Sequence, residues 1–282
     1  MDIQNFKAVA DRYKVIFFDA YGVLKNSMGV LDGIEQTFHY LMEREIDYYI
    51  VTNDASRGPK ALAQAYIDEG LEMVSQDKII SSGMLATEYL RLKVRSGTVA
   101  YLGTPKSAHY LQELGLHTLS IADLDLTDTD DVNALVFLDD EGFDWNHDIN
   151  KIVNLLRLRN IPCVVANTDK SYPVSANEVS IAIGSIADMV EQISGRTFIK
   201  FGKPDAQMFI FAYDRIQAAM KVGKQHILMV GDTLFTDIIG GNKFGIDTLL
   251  VLSGNTLKSS VDEQIHLTGI VPNYICDSAV ID

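Results

Sequence analysis

The chain has 282 residues, 47% of them hydrophobic, and its 24 Lys and Arg against 38 Asp and Glu give a formal net charge of −14. This length and apolar content exclude a disordered chain and indicate one large or two modest domains. The acidic balance argues against general nucleic-acid binding, which needs clustered cations, and against binding to anionic membranes. We therefore predict small-molecule partners, and neither nucleic-acid nor membrane partners.

The cysteines and the N-terminal segment bear on the cellular compartment. Cys163 and Cys276 are too few for a disulfide framework and lack metal-ligand spacing, which predicts buried, inert thiols in a reducing cytosol. Residues 1–14 are polar and charged, unlike a secretory signal. The apolar runs are far shorter than the roughly 20 residues that a membrane-spanning helix requires. These features predict a cytoplasmic protein.

Short apolar runs alternate with amphipathic segments along the chain. The predicted strands cover residues 14–19, 47–52, 98–102, 134–138, 163–166, 227–230 and 248–252. The predicted helices cover residues 33–44, 60–69, 105–114, 147–159, 186–194, 205–221 and 236–244. This alternation indicates βαβ units and a parallel sheet buried on both faces, so the predicted fold class is α/β. The acidic stretch 119–132, without Lys or Arg, is predicted to be a solvated linker.

Polar residues stand where predicted strands end or helices begin. Taken one at a time, each has an ordinary explanation as a helix cap, a turn former or a solvated charge. In open parallel sheets, however, ligands bind beyond the carboxyl ends of the strands. Together the residues supply carboxylates, neutral donors and one cation; carboxylates that share a crevice need a cation between them, and Mg²⁺ with its oxygen ligands meets that need. They are Asp19, Thr52, Asn53, Lys203, Asp232 and Asp237.

Four short motifs carry these residues, in order, over nearly the whole chain. They read DAYG at 19–22, VTN at 51–53, GKP at 202–204 and GDTLFTDI at 231–238. In this order they resemble the motifs of the haloacid dehalogenase-like (HAD) hydrolase superfamily. The details are similar to its class IIA, or p-nitrophenyl phosphatase-like, branch.

The resemblance implies a division of the chain into two domains. It implies a Rossmann-like parallel-sheet core, and an α/β cap domain inserted between the second and third motifs. On this basis we predict a discontinuous core at residues 1–84 and 185–282, and a cap at residues 85–184. A homodimer formed through the cap is an assembly that occurs among such relatives.

The resemblance also implies roles at the nucleophile and metal sites. Asp19 would attack phosphorus and form an aspartyl-phosphate. Mg²⁺ would be held by the Asp19 carboxylate, the Tyr21 backbone carbonyl and Asp232. Thr52 and Asn53 would bind the phosphoryl oxygens. The substrate implied is a small phosphate monoester of the sugar- or nucleotide-phosphate type.

Further roles fall on the third and fourth motifs and on the cap. Lys203 would neutralise charge during phosphoryl transfer, and Asp237 would orient Lys203 or a metal-bound water. In the cap, Asn167 and Asp169 resemble the segment that faces the active site, where they would hydrogen-bond a polar leaving group. The alternative interpretation of these two residues is a simple turn after a strand.

One position departs from the pattern of the superfamily's phosphatases. They usually have a second Asp two residues after the nucleophile, which protonates the leaving oxygen and later activates water; here that residue is Tyr21. General acid–base help is typically worth about 10²–10⁴-fold in rate, so we predict slow turnover. Tyr at this position is also typical of the superfamily's metal-independent 2-haloacid dehalogenases. That activity and a catalytically weak regulatory or binding protein remain alternative hypotheses, although Asp232 and Asp237 favour a magnesium site.

Overall fold

The computed structural model describes residues 2–113, 115–175 and 178–281. Within them, the strands are β1 (Ile3–Gln4), β2 (Val15–Phe18), β3 (Lys25–Asn26), β4 (Gly29–Val30), β5 (Asp47–Thr52), β6 (Ile79–Ser81), β7 (Thr98–Leu102), β8 (His117–Ser120), β9 (Val132–Phe137), β10 (Cys163–Val165), β11 (Ser171–Ser175), β12 (Glu178–Ile181), β13 (Ile199–Lys200), β14 (Ile227–Gly231), β15 (Asp247–Val251) and β16 (Tyr274–Cys276). The α-helices are α1 (Phe6–Ala10), α2 (Ile34–Glu43), α3 (Pro59–Asp68), α4 (Ser82–Lys93), α5 (Pro105–Glu113), α6 (His147–Leu158), α7 (Ile183–Ser194), α8 (Ala206–Ala219), α9 (Ile239–Phe244) and α10 (Val261–Thr268).

A seven-stranded parallel sheet forms the larger layer, with strand order β1-β16-β15-β14-β2-β5-β6. Its central strands β2 and β14 are buried along their whole length. Residues that alternate along β2 enter two different apolar clusters, one on each face of the sheet. Burial on both faces explains why these strands consist of continuous apolar runs rather than alternating patterns. The predicted α/β class with a parallel-sheet core is confirmed.

A second parallel sheet has the strand order β13-β10-β9-β7-β8. Apolar residues of α6 and α7 are buried in the same cluster as β9 and β10. This sheet and its packing extend to Lys200, past residue 184, where the predicted cap ends. The division into a core at 1–84 and 185–282 and a cap at 85–184 stays a prediction.

Two regions differ from the sequence-based expectations. The acidic stretch 119–132 is not simply a solvated linker, because Ile121 and Leu124 are buried in the core of the second sheet. The acidic residues around Ile121 and Leu124 face solvent. Because they dominate the composition of the stretch, composition alone did not reveal the two buried apolar residues. The helix predicted at 236–244 is divided into a π-helical turn at Leu234–Ile238 and the short helix α9.

Two antiparallel hairpins meet at one edge of the molecule. Strands β3 and β4 form one hairpin, and β11 and β12 form the other. The Ser27 hydroxyl donates a hydrogen bond to the Val174 carbonyl across this junction. Neither hairpin was predicted; β3 and β4 have only two residues each, too few to show an alternating pattern.

Two further observations bear on the predicted compartment. Cys163 and Cys276 are free and buried, and burial raises the pKa of each thiol to about 12, which makes both inert as predicted. Among the described residues, no helix is both long and apolar enough to cross a membrane.

Candidate active site

The parallel sheet brings three of the predicted motifs to one edge. Asp19 directly follows β2, Asp232 directly follows β14, and Thr52 is the last residue of β5. Because β2 pairs with both β14 and β5, these three residues stand beyond the carboxyl ends of adjacent strands. Lys203 enters from the loop that follows β13. The residues that sequence reasoning singled out therefore converge in space.

Lys203 is the cation of this site. Its Nζ lies 2.6 Å from Oδ1 of Asp19 and 2.7 Å from Oδ1 of Asp237, and its side chain is 1% exposed. Burial alone would lower the pKa of Lys203, but the charges of Asp19 and Asp237 outweigh it and raise that pKa above its usual value. Complete burial raises the pKa of Asp237, and the ion pair with Lys203 opposes this rise. The lysine is thus permanently charged and fixed beside the predicted nucleophile.

The carboxylates form a group that fits a divalent cation. One oxygen from each of Asp19, Asp232 and Asp237 lies within 4.8 Å of the others. Burial and then the charge of Asp19 raise the pKa of Asp232 to about 7. In the described part of the chain, no basic side chain lies within 4.0 Å of Asp232, unlike Asp19 and Asp237. A buried carboxylate beside a like charge and without its own cation suits oxygen-only Mg²⁺ ligation.

The surroundings of Asp232 hold its carboxylate in place. Oδ1 accepts a hydrogen bond from the Thr233 hydroxyl at 2.8 Å, and Oδ2 accepts one from the backbone amide of Asn255 at 2.7 Å. A Cβ at Gly22 or at Gly254 would lie 2.0 Å from Oδ2, so both positions require glycine. The segment containing Gly254 and Asn255 was missed in the sequence. The only signal for it is its place just after β15, at the same edge of the sheet.

Asn53 links the second motif to the third and to the second sheet. Its Oδ1 accepts a hydrogen bond from the Lys203 amide at 2.7 Å. Its Nδ2 donates to the Lys203 carbonyl at 3.1 Å and to Asp169 Oδ1 at 2.8 Å. Thr168, another residue missed in the sequence, donates its hydroxyl to the same carbonyl at 2.9 Å. Asn53 therefore positions the backbone of Lys203, and its predicted contact with phosphoryl oxygens stays a prediction.

We expect Asn53→Ala to lower the free energy of unfolding by about 1–3 kcal/mol, because it leaves the buried backbone amide of Lys203 without its acceptor and removes a donor to Asp169. Urea unfolding followed by circular dichroism measures this loss. The control is Asn150→Ala on the exposed face of α6, which should stay within about 0.5 kcal/mol of the unchanged chain. Equal effects of the two substitutions would contradict the linking role of Asn53.

A cavity of about 940 Å³, the site cavity, opens above Asp19. The end of β5 and the segment after it contribute Thr52 and Asp54 to its lining, while the segment after β10 contributes Asn167 and Asp169. The volume exceeds what a phosphate group needs and leaves room for a polar organic group. Both sheets therefore enclose the space beside the predicted nucleophile.

The two predicted cap residues lie in this lining with distinct hydrogen bonds. Asn167 Oδ1 accepts a bond from the Asp169 amide at 2.8 Å, which is the turn anticipated as the alternative interpretation. Asp169 accepts the bond from Asn53 described above. Burial, followed by the charge of Asp19, raises the pKa of Asp169 to about 6. Both residues thus combine a turn-forming role with a position on the cavity wall.

Tyr21, the departure from the usual motif, also lines the site cavity. Its ring lies 6.0 Å from the ring of Tyr172 on β11, and Lys25 Nζ lies 4.7 Å from its centroid. Burial and then the charge of Asp54 raise the pKa of Tyr21 above its usual value. A phenol whose pKa is raised is ionised even less near neutral pH, so less phenolate is present to act as a general base. The geometry gives Tyr21 the role of a contact to the hairpin β11–β12.

Comparison with known proteins identifies the family. A solved structure from Cytophaga hutchinsonii, described as a possible sugar phosphatase of the HAD superfamily, is 58% identical, with a TM-score of 0.95 over 100% of this chain and 99% of its own. The chain belongs to the haloacid dehalogenase-like hydrolase superfamily. The model of the family described as haloacid dehalogenase-like hydrolase matches residues 16–117, and that described as HAD-hydrolase-like matches residues 200–279.

Curated relatives in this superfamily are more distant. Chronophin of Mus musculus is 28% identical over 93% of this chain and 89% of its own length. Ribonucleotide monophosphatase NagD of Escherichia coli is 26% identical over 89% of this chain and 92% of its own. These similarities confirm the predicted superfamily and its class IIA branch. The names of the relatives support the predicted phosphatase-type hydrolase.

Proposed function

We propose that this HAD-superfamily member is a Mg²⁺-dependent hydrolase of small phosphate monoesters that works through an aspartyl-phosphate on Asp19. The observation that carries the proposal is the buried Lys203, whose ammonium group pairs at once with Asp19 and Asp237 while Asp232 stands beside them without a cation. Such a site combines a nucleophile, a fixed positive charge and a place for a divalent ion. These are the components that phosphoryl transfer requires.

Each residue then has a defined task. Asp19 is the most exposed of the three carboxylates, and its oxygen forms the bond to phosphorus as the ester bond breaks. Lys203 offsets the charge of the transferring group, and Asp237 fixes Lys203. Mg²⁺, held by Asp19, Asp232 and the Tyr21 carbonyl, would polarise the phosphoryl group and neutralise its charge.

The substrate class rests on the site cavity and on the relatives. Names among the relatives include a possible sugar phosphatase and a ribonucleotide monophosphatase. A cavity of about 940 Å³ accommodates a phosphorylated sugar or nucleotide. We propose that Thr52 and Asn53 contact the phosphoryl oxygens and that Asn167 and Asp169 contact the leaving group. We also propose a cytoplasmic location, from the two inert thiols, and a homodimer as the assembly to test by light scattering.

The test of this function is a panel of phosphate esters assayed with and without Mg²⁺. We expect hydrolysis of p-nitrophenyl phosphate and of sugar or nucleotide monophosphates only with the metal. The 2-haloacid dehalogenase hypothesis rests on Tyr21 and predicts instead metal-independent halide release from a 2-haloacid. Binding of phosphate esters without turnover would favour the regulatory or binding hypothesis. Either of these outcomes would overturn the proposal.

Metal removal gives a residue-level prediction. EDTA should abolish the activity and excess Mg²⁺ should restore it, because Asp19 and Asp232 repel each other without a cation between them. In Asp232→Asn the Mg²⁺ concentration for half-maximal activity should rise by about 10–100-fold, since one carboxylate ligand is lost. Asp205→Asn, which keeps the cap of α8, is the matched control and should titrate like the unchanged enzyme. Identical Mg²⁺ titrations for both variants would remove Asp232 from the metal site.

A further inference from the structure

The site described so far lacks a group that handles protons on the leaving oxygen. Tyr21 occupies the position of the usual carboxylate, and its ring packs against the ring of Tyr172 and the ammonium group of Lys25. The alcohol of an alkyl phosphate ester would leave as a strongly basic alkoxide, so cleavage of such an ester depends on a proton donor. A carboxyl group elsewhere on the wall of the site cavity would meet this need.

Asp54 has a position that suits the task. It lies two residues beyond Thr52, at the carboxyl end of β5, and β5 is paired directly with the strand that ends at Asp19. Neighbouring strands run about 4.8 Å apart, so both carboxylates stand on the same rigid edge. Asp54 and Tyr21 line the same cavity, and Asp54 is the strongest charged influence on the Tyr21 phenol.

The hydrogen bonds of Asp54 leave one of its oxygens available. Oδ1 accepts bonds from the Ser56 amide at 2.9 Å and from the Ser56 hydroxyl at 2.6 Å, which fix the orientation of the carboxylate. Among the described residues, no hydrogen bond to Oδ2 is found. The side chain is half-buried and lines the site cavity.

The other carboxylates of the cavity wall accept hydrogen bonds from other groups. Asp139 accepts bonds from the Asp140 amide and the Thr104 hydroxyl. Asp140 accepts the Tyr172 hydroxyl at 3.0 Å. Asp169 accepts the Asn53 amide. All three belong to the segment that carries the second sheet, whereas Asp54 follows β5, the strand paired with the one that ends before Asp19.

We infer that Asp54 is the acid–base residue of this enzyme. It takes the role of the Asp that the superfamily's phosphatases usually have at the position of Tyr21. This inference rests on the proposed function. As Asp19 bonds to phosphorus, the ester P–O bond breaks and the Asp54 carboxyl gives its proton to the departing oxygen. The resulting Asp54 carboxylate then takes a proton from water. The water oxygen attacks phosphorus, the Asp19–phosphorus bond breaks, and phosphate, free Asp19 and protonated Asp54 result.

The leaving-group dependence of Asp54→Asn tests the inference. For an alkyl ester such as glycerol 3-phosphate, kcat/KM should fall by about 10²-fold or more, because the alkoxide needs the proton. For p-nitrophenyl phosphate it should fall by less than about 10-fold, because p-nitrophenolate leaves without one. The second step should slow for both substrates, so p-nitrophenol should appear as a burst of about one equivalent per active site. Asn retains the acceptor for Ser56, which preserves the loop.

A relocation experiment provides the decisive arm. The double variant Tyr21→Asp with Asp54→Asn should regain activity toward the alkyl ester and lose the burst, since a carboxylate is restored on the same wall. Equal loss of kcat/KM for both esters in Asp54→Asn would overturn the inference. The alkyl-selective loss appearing in Asp169→Asn instead would also overturn it. An unchanged chain that hydrolyses no phosphate ester would refute the proposed function itself, a result distinct from these.

Discussion

The Asp19→Asn variant is expected to hydrolyse p-nitrophenyl phosphate at least about 10⁴-fold more slowly than the unchanged enzyme. An amide oxygen is a far weaker nucleophile than a carboxylate. Among the described residues, the other carboxylate that pairs with Lys203 is that of Asp237, which is fully buried. Steady-state release of p-nitrophenol with saturating Mg²⁺ measures the effect. Denaturing mass spectrometry of acid-quenched enzyme should find a phosphorylated chain for the unchanged protein and none for the variant.

The control for this variant separates lost chemistry from lost folding. Asp277→Asn removes a carboxylate from an exposed ion pair with Lys258 and should retain full activity. Asp19→Asn should keep a cooperative unfolding transition, because Lys203 still pairs with Asp237. A folded Asp19→Asn variant with more than roughly 1% of the original kcat would contradict the assignment of Asp19 as nucleophile.

The convergence of the candidate site residues was predictable because the sheet is parallel. Asp19, Thr52 and Asp232 each follow an apolar run, and a parallel sheet places all such run ends at one edge. Taken alone, Lys203 would be predicted to be a solvated surface lysine. Its position in the site was predicted from the resemblance of the GKP motif. Its complete burial follows from the partners that the fold gives it.

The remaining features depend on contacts that no local pattern encodes. The sequence around Asn53 predicts a turn and a donor, but the direction of its amide depends on Lys203 and Asp169, more than 100 residues away. The glycine at 254 is required by a carboxylate from another strand. The strands of the hairpin β3–β4 have two residues each, below the length at which periodicity is readable. Long-range packing thus supplied what composition and spacing left open.

Lys203→Met is expected to lower the free energy of unfolding by about 3–5 kcal/mol at about pH 9, in addition to abolishing activity. Removal of one partner from a buried ion pair leaves uncompensated charge in a low-dielectric interior. Here the remaining charges are Asp19, Asp232 and Asp237, whose oxygens lie within 4.8 Å of one another. Methionine fills a similar volume, so the loss reports charge more than packing. Urea unfolding of metal-free protein measures it.

The pH dependence of this loss distinguishes charge from packing. Without the lysine, the folded-state pKa values of Asp232 and Asp237 rise further above their unfolded values, and groups raised in this way stabilise the fold as pH falls. In the unchanged chain, burial and then the charge of Asp19 raise the pKa of Asp232 to about 7. The deficit should therefore shrink as pH falls from about 9 to about 7, because the carboxylates of the variant take up protons at a higher pH than those of the unchanged chain. A deficit that is constant with pH would indicate lost packing instead.

Lys200→Met is the matched control on the same segment. Lys200 pairs with Asp188 and Glu191, but its side chain is 36% exposed, so water screens these charges. Its replacement should cost less than about 1 kcal/mol. The contrast between two lysines three positions apart then isolates burial as the cause. The same burial that makes Lys203 indispensable to the fold also makes it a fixed charge for phosphoryl transfer, because a lysine enclosed by carboxylates neither deprotonates nor moves away.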